Sequence, residues 1–175
     1  PIGMEIRAQA FAFASNDEVN NMTFYNYVLI NRGTQTLYNT YFGFFTDGAL
    51  GDPYDDYVGC DVMRGLGYYY NGDNVDGDNS GYKGYGYSPP AVGVDFFEGP
   101  YQDDDGIDNA YGIGLNEALN GIGYGDGIID NERFGMRRFL YYSNTTNGAN
   151  INQTDPIASS DYYNYLKGYW KDGTK

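Results

Sequence analysis

The chain has 175 residues, enough for one domain with a sizeable core, and it carries 24 acidic against 10 basic side chains, a net charge of -14. That balance argues against nucleic acid as a partner and against an anionic membrane surface. There is no histidine, which excludes Ser-His-Asp and Cys-His catalysis and histidine-ligated zinc, and the single cysteine, Cys60, excludes an intrachain disulfide. Disorder is the simplest consequence of high net charge, but 21 Tyr and 10 Phe are far too many rings for a disordered chain. Twenty-six glycines point to turns rather than long helices. No apolar run approaches a membrane span, so direct membrane insertion is not expected. The sequence opens on Pro1 without an initiator Met or a signal peptide. The expectation is a single β-rich module over 1–175, cut from a longer chain.

In chain order, "MEIRAQAFAFAS" (4–15) alternates with period two and predicts a strand. "NDEVNN" (16–21) is a polar connection, and "MTFYNYVLINR" (22–32) is a second strand, so the two predict an antiparallel hairpin. "TLYNTYFGFFTD" (36–47) reads as a third strand, and "YVGCDVMRGLGYYY" (57–70) and "AVGVDFF" (91–97) as two more. Between them, 71–90 is a long polar loop; loops of this length usually have a function or a metal to order them. "LNEALNGI" (115–122) predicts a helical turn, "RRFLYYSN" (137–144) a late strand and 145–156 a polar loop. "SSDYYNYLKGYW" (159–170) predicts a short helix with Ser159 or Ser160 as N-cap and Asp161 in its first turn. The fold class expected is all-β: an antiparallel β-sandwich with long acidic Gly/Asp/Asn-rich loops and one or two short helices.

Acidic residues concentrate in three loops. The first holds Asp47, Asp52, Asp55, Asp56 and Asp61; the second, "DDDGIDN", holds Asp103, Asp105 and Asp108; the third, "GDGIIDNE", holds Asp126, Asp130 and Glu132. Nineteen of the 24 acids are Asp, which suits turns and calcium ligation better than a solvated helical face. Calcium takes six to eight oxygens on a sharply bent backbone, and Asp at every second or third position with Gly at the bend supplies both. Magnesium suits these loops less, because it prefers a rigid octahedron with retained waters. Neither later loop is an EF-hand. Aligning Asp103, Asp105 and Gly106 with loop positions 3, 5 and 6 puts Tyr101 and Gly112 where the end ligands belong, and the third loop fails the same way at Ile122 and Arg133. All eleven named acids are candidate Ca²⁺ ligands, set against a reading as solvated acidic turns.

Other chemistries are weaker. "GYYYNG" (67–72) and "GYKGYGY" (81–87) offer rings for stacking on sugars, beside the simpler reading of ordinary packing in a Tyr-rich domain. A glycoside hydrolase needs two carboxylates across a cleft; Asp95 and Glu98 are a pair whose separation the sequence does not give. Cys60 between Val58 and Val62 reads as a buried strand residue with acidic neighbours, not a reactive thiolate. Asn21, Asn144 and Asn152 fit the N-glycosylation pattern, which matters only where the machinery exists.

Several segments together carry a resemblance: "PIGMEIRAQAFAFASNDEVNNMTFYNYVLINR", "DDYVGCD", "PPAVGVDFFEGP", "GDGIIDNERFGMRRF" and "YYNYLKGYWKDGT". They resemble a region of large extracellular proteins of Bacteroidota exported by the type IX secretion system, many of which end in a C-terminal sorting domain. The resemblance implies a secreted or surface-attached β-rich module and no particular activity. The resemblance covers the module region alone, so export and anchoring are expectations that come from the resemblance and not from these residues. The resemblance covers Asp55, Asp56 and Asp61 in one segment and Asp126, Asp130 and Glu132 in another; their calcium role comes from spacing alone. The resulting expectation is a non-catalytic, calcium-stabilised structural module of an adhesin or extracellular filament. Its partners would be other domains of the same polypeptide or neighbouring subunits, with surface glycans as the alternative ligand.

Overall fold

The structure, a computed structural model, describes residues 2–112, 120–143 and 150–175. The chain divides into two compact units, Pro1–Thr40 and Tyr41–Lys175. Strands supply most of the regular structure, and every strand pairing is antiparallel.

The first unit is the expected hairpin. Strands β1 (Met4–Ala12) and β2 (Thr23–Asn31) pair in register from Met4↔Asn31 to Ala12↔Thr23. A 3₁₀ turn over Glu18–Asn21 reverses the chain, and Asp17 caps it by accepting from the Val19 N–H. The alternation places Phe11 opposite Phe24, and their rings stack at 5.3 Å with Phe13 edge-on to both. At the other end Glu5 accepts from Arg7 and Arg32, and these two bonds hold its carboxyl below the usual range.

In the second unit, β3 (Asp56–Asp61), β4 (Leu66–Asn71) and β7 (Ala91–Asp95) form one sheet in the order β3-β4-β7. The run 57–70, expected as one strand, is therefore a hairpin. Residues 62–65 turn it, with Gly65 at φ +67° and Asp61 accepting from the Met63 and Arg64 N–H groups. The long loop 71–90 is partly ordered by a two-residue ribbon of β5 (Val75–Asp76) and β6 (Gly86–Tyr87).

Two expected strands are absent. Residues 36–47 form no strand, because the aromatic residues there pack by their rings: Tyr41 against Tyr163, Phe44 against Phe96, Phe45 against Tyr142. Of 137–144, residues 137–143 contain only an isolated bridge from Ser143 to Thr154. The helical turn expected at 115–122 lies mostly outside the described residues, as do residues 145–149 of the loop expected at 145–156. The terminal helix α1 spans Ser159–Leu166, but its N-cap is Ala158, not a serine. Asp161 takes over the capping role by accepting from the Ile157 and Ala158 N–H groups, each at 3.0 Å.

The buried interior is unusually polar. Among the described residues Leu50 is the one fully buried apolar side chain, whereas Asp52, Asn71, Asp76, Glu132 and Thr154 are all buried. Burying a carboxylate costs several kcal/mol unless something compensates its charge. The buried carboxylates therefore mark places where a compensating partner matters most.

Candidate metal centres

The second and third acidic loops interlock. Asp108 accepts from the Gly125 and Gly127 N–H groups, both at 2.7 Å, one on each carboxylate oxygen. Asp130 accepts from the Gly106 N–H at 2.8 Å, and Asn109 N–H donates to Glu132 Oε1. Asp126 is engaged within its own loop by the Ile128 N–H and the Asn131 amide, and the Asn131 bond is the main cause holding its carboxyl low. Asp130 sits at φ 56°, a left-handed conformation that Asp tolerates better than most residues.

This folding brings Asp103, Asp105 and Asp130 together, with one carboxylate oxygen from each lying within 4.8 Å of the others. Asp105 also accepts from the Ile107 N–H, which fixes the bend at Gly106. Two residues beyond Asp130, the Glu132 carbonyl accepts from Gln102 N–H. The Glu132 side chain is 1% exposed, and among the described residues Glu132 Oε2 has no hydrogen-bond donor, nor has Asn131 Oδ1.

The first acidic loop behaves differently. Asp52, Asp55 and Asp56 gather where β3 begins and β4 ends. Leu50 N–H donates to Asp56 Oδ2 at 2.8 Å, and Asp52 N–H donates to Asp76 Oδ1 at 3.1 Å. Burial pushes the Asp56 carboxyl up; the Leu50 bond opposes this, and the charges of Asp55, Asp76 and Asp52 add to the rise. Two members of the same list stand elsewhere. Asp61 lies at the far end of β3, about 16 Å from Asp56 at ~3.3 Å per residue, paired with Arg64. Asp47 is exposed, close enough to Tyr142 to help raise its phenol after burial has done most.

Sequence reasoning passed over Asp76 and Asn71, both buried at this place. They sit in a run of Asn, Asp and Gly that reads as loose loop. The one available signal was the Asp76-Gly77-Asp78 spacing, which repeats the composition of the other acidic loops.

None of these buried carboxylates has a basic partner. All ten Lys and Arg lie among the described residues, and the ion pairs they make go to Glu5, Asp61, Asp78 and Glu98. Glu98, 3.6 Å from Arg133, is largely exposed, and burial raises the Asp95 carboxyl. Burial, then the charge of Asp61, raises the half-buried Cys60 thiol, which favours the inert thiol form. Of the tyrosines, Tyr57, Tyr70 and Tyr68 form a row with neighbouring rings tilted by 41°, and Tyr82 meets Tyr54 edge-on at 78°. Among the described residues no helix is long and apolar enough to cross a membrane.

Compared with protein-family models, curated proteins and solved structures, the chain matches none. The functional reading therefore rests on the geometry of these loops.

Proposed function

We propose that this chain is a non-catalytic, calcium-stabilised structural module of a secreted or cell-surface protein, an adhesin or extracellular filament component. The observation that carries the reading is Glu132. A carboxylate 1% exposed, with one oxygen lacking a donor and no basic partner among the described residues, follows Asp130 by two residues in the loop pair that brings Asp103, Asp105 and Asp130 within 4.8 Å. A cation with oxygen ligands supplies the missing positive charge and accepts the unused lone pairs. The site would draw on Asp103, Asp105 and Asp130, with Glu132 two residues beyond Asp130 adding buried charge, while Asp108 and Asp126 shape the loops through their backbone bonds.

Bound to the folded state alone, calcium would crosslink loops that no disulfide fixes. Extracellular sites have dissociation constants of about 10⁻⁴–10⁻³ M, so ~10 mM calcium would add roughly 1–3 kcal/mol per site. The antiparallel pairing and alternating strands suit a β-sandwich framework for such loops, and the type IX resemblance suits an exported module joined to other domains or neighbouring subunits. In the 67–72 segment the rings of Tyr68 and Tyr70 are tilted by 41°, which suits the glycan-binding alternative less well than a coplanar pair would.

The test is thermal unfolding of the calcium-loaded chain with and without a chelator. A fall of several degrees that calcium restores and magnesium does not is the expected result. An unchanged melting temperature, with no calcium isotherm, would overturn the reading.

A further inference from the structure

The mouth of the β3–β4 hairpin holds a second group of buried oxygens, built from other residues. Asp56 and Asn71 are direct partners in the antiparallel register, so their side chains share one face of the sheet. Asn71 is 7% exposed, and its Nδ2 donates to the Asp73 carbonyl at 3.3 Å, which turns its Oδ1 the other way. Among the described residues Asn71 Oδ1 has no donor, nor has Oδ1 of Asp56, its partner in the register, nor Oδ1 of Asp55, the residue before it. Three residues at the end of one strand pair thus each carry a buried acceptor oxygen without a donor, which burial penalises heavily.

The surroundings add charge and rigidity. Asp76, 1% exposed, accepts from Asp52 N–H on one oxygen and from Tyr85 N–H at 2.7 Å on the other, so its carboxyl group is held in place from both sides. Gly51 and Gly84 lie so close to Asp76 that a Cβ at either would overlap it. The only lysine in this region, Lys83, pairs with Asp78. Two donor-rich alternatives for the orphan oxygens, a basic side chain and a backbone N–H, are thus both engaged elsewhere.

We propose that this mouth is a second divalent-cation site, in which the side-chain oxygens of Asp55, Asp56 and Asn71 ligate a calcium ion and the Asp52 and Asp76 carboxylates supply further negative charge beside it. It rests on the preceding reading only for the identity of the ion; its residues are separate from those of the Asp103–Asp105–Asp130 loops. Structurally, the ion would pin the 50–56 loop to the end of β4 and to the 76–85 ribbon, ordering the long polar excursion.

The experiment is calcium titration by isothermal calorimetry, using calcium chloride alone, in a background that disables the first site (Asp105→Asn with Asp130→Asn). The background is expected to bind one calcium fewer than the parent chain and to retain one. Adding Asp56→Asn should abolish the remaining isotherm while the circular dichroism of the apo protein is unchanged. Asn71→Asp guards against a variant that merely misfolds. As a ligand it should tighten binding on the order of tenfold and raise the melting temperature only with calcium present. If Asn71 instead donates to Asp56, the new charge should lower the melting temperature with and without calcium. A background that binds no calcium, or an isotherm that survives Asp56→Asn, would overturn the second site while leaving the first intact. No isotherm in the parent chain would overturn both.

Discussion

The backbone of Gly51 lies directly against the Asp76 carboxylate: a Cβ built on Gly51 would overlap Asp76 Oδ2, and the residue holds φ +64°. Asp76 cannot swing aside, because two backbone N–H groups grip its two oxygens. Gly51→Ala therefore combines left-handed strain with displacement of a buried anion and is expected to cost about 2–4 kcal/mol. Gly173→Ala is the matched control, with φ +82° and open space around the new Cβ, and should cost only about 1 kcal/mol. Urea unfolding of both variants, read at constant m, checks the difference.

Asp108 makes the second relationship that holds loops together. Its two oxygens each accept one N–H, from Gly125 and Gly127, 17 and 19 residues away. Asp108→Ala removes both charge-assisted bonds across the loop pair, and we expect a loss of about 2–3 kcal/mol. Hydrogen exchange gives the local readout. The Gly125 and Gly127 amides should lose protection first, while the β3–β4 amides keep theirs. Equal protection of the two glycines in the variant and the parent would contradict the role assigned to Asp108.

How much of this was legible in the sequence depends on whether the signal was local. The alternation of Met4–Ala12 and Thr23–Asn31 made the hairpin legible because successive side chains of a strand point to opposite faces. The run 57–70 concealed a turn, because Val62-Met63-Arg64-Gly65 carries no Asn-Gly or Asp-Gly signal and Asp61 does the capping from outside it. The aromatic stretch 36–47 matched strand propensity, yet its rings found partners in distant segments instead of a neighbouring strand. Spacing marked Asp103 and Asp105 in one loop and Asp130 in another as candidates, but only the folded loops bring the three together. It could not reveal Asn71 and Asp76, which join the first loop only through strand register and a two-residue ribbon too short to show a period.

Tyr165 ties α1 to the 150–154 segment. Its hydroxyl donates to the Thr154 carbonyl at 2.6 Å and its ring stacks on Tyr142 at 4.9 Å. Burial, then the charges of Tyr142, Asp161 and Asp155, pushes its phenol from 10.0 up to about 12. The folded chain thus keeps a proton that the unfolded chain loses between those values. The contribution is complete below pH ~10, falls as pH rises from there, and is gone above ~12. Tyr165→Phe should cost about 1–2 kcal/mol at pH 8 through the lost bond. Its stability gap from the parent should narrow by pH 11.5, measured by urea unfolding at both pH values. A gap that widens with pH would reverse the assigned sign.

Asp61 separates a turn role from a metal role. It belongs to the same acidic segment as Asp55 and Asp56, but it stands at the other end of β3 with Arg64 paired to it. The Arg64 hydrogen bond is the largest cause holding its carboxyl below the ordinary value of 3.8. A carboxylate so shifted stabilises the fold above its unfolded pKa, and that contribution disappears as pH falls through the folded value. Asp61→Asn keeps an acceptor for the Met63 and Arg64 N–H groups and removes only the charge. We expect a lower melting temperature at pH 7, no difference once pH drops far enough to protonate Asp61 in the parent, and a smaller difference at ~0.5 M salt, where exposed pairs are screened. Calcium stoichiometry should be unchanged, because no other acid of the loop reaches this end of the strand. Loss of a bound calcium in Asp61→Asn would place a ligand at this end of β3 and move the cation site away from Asn71.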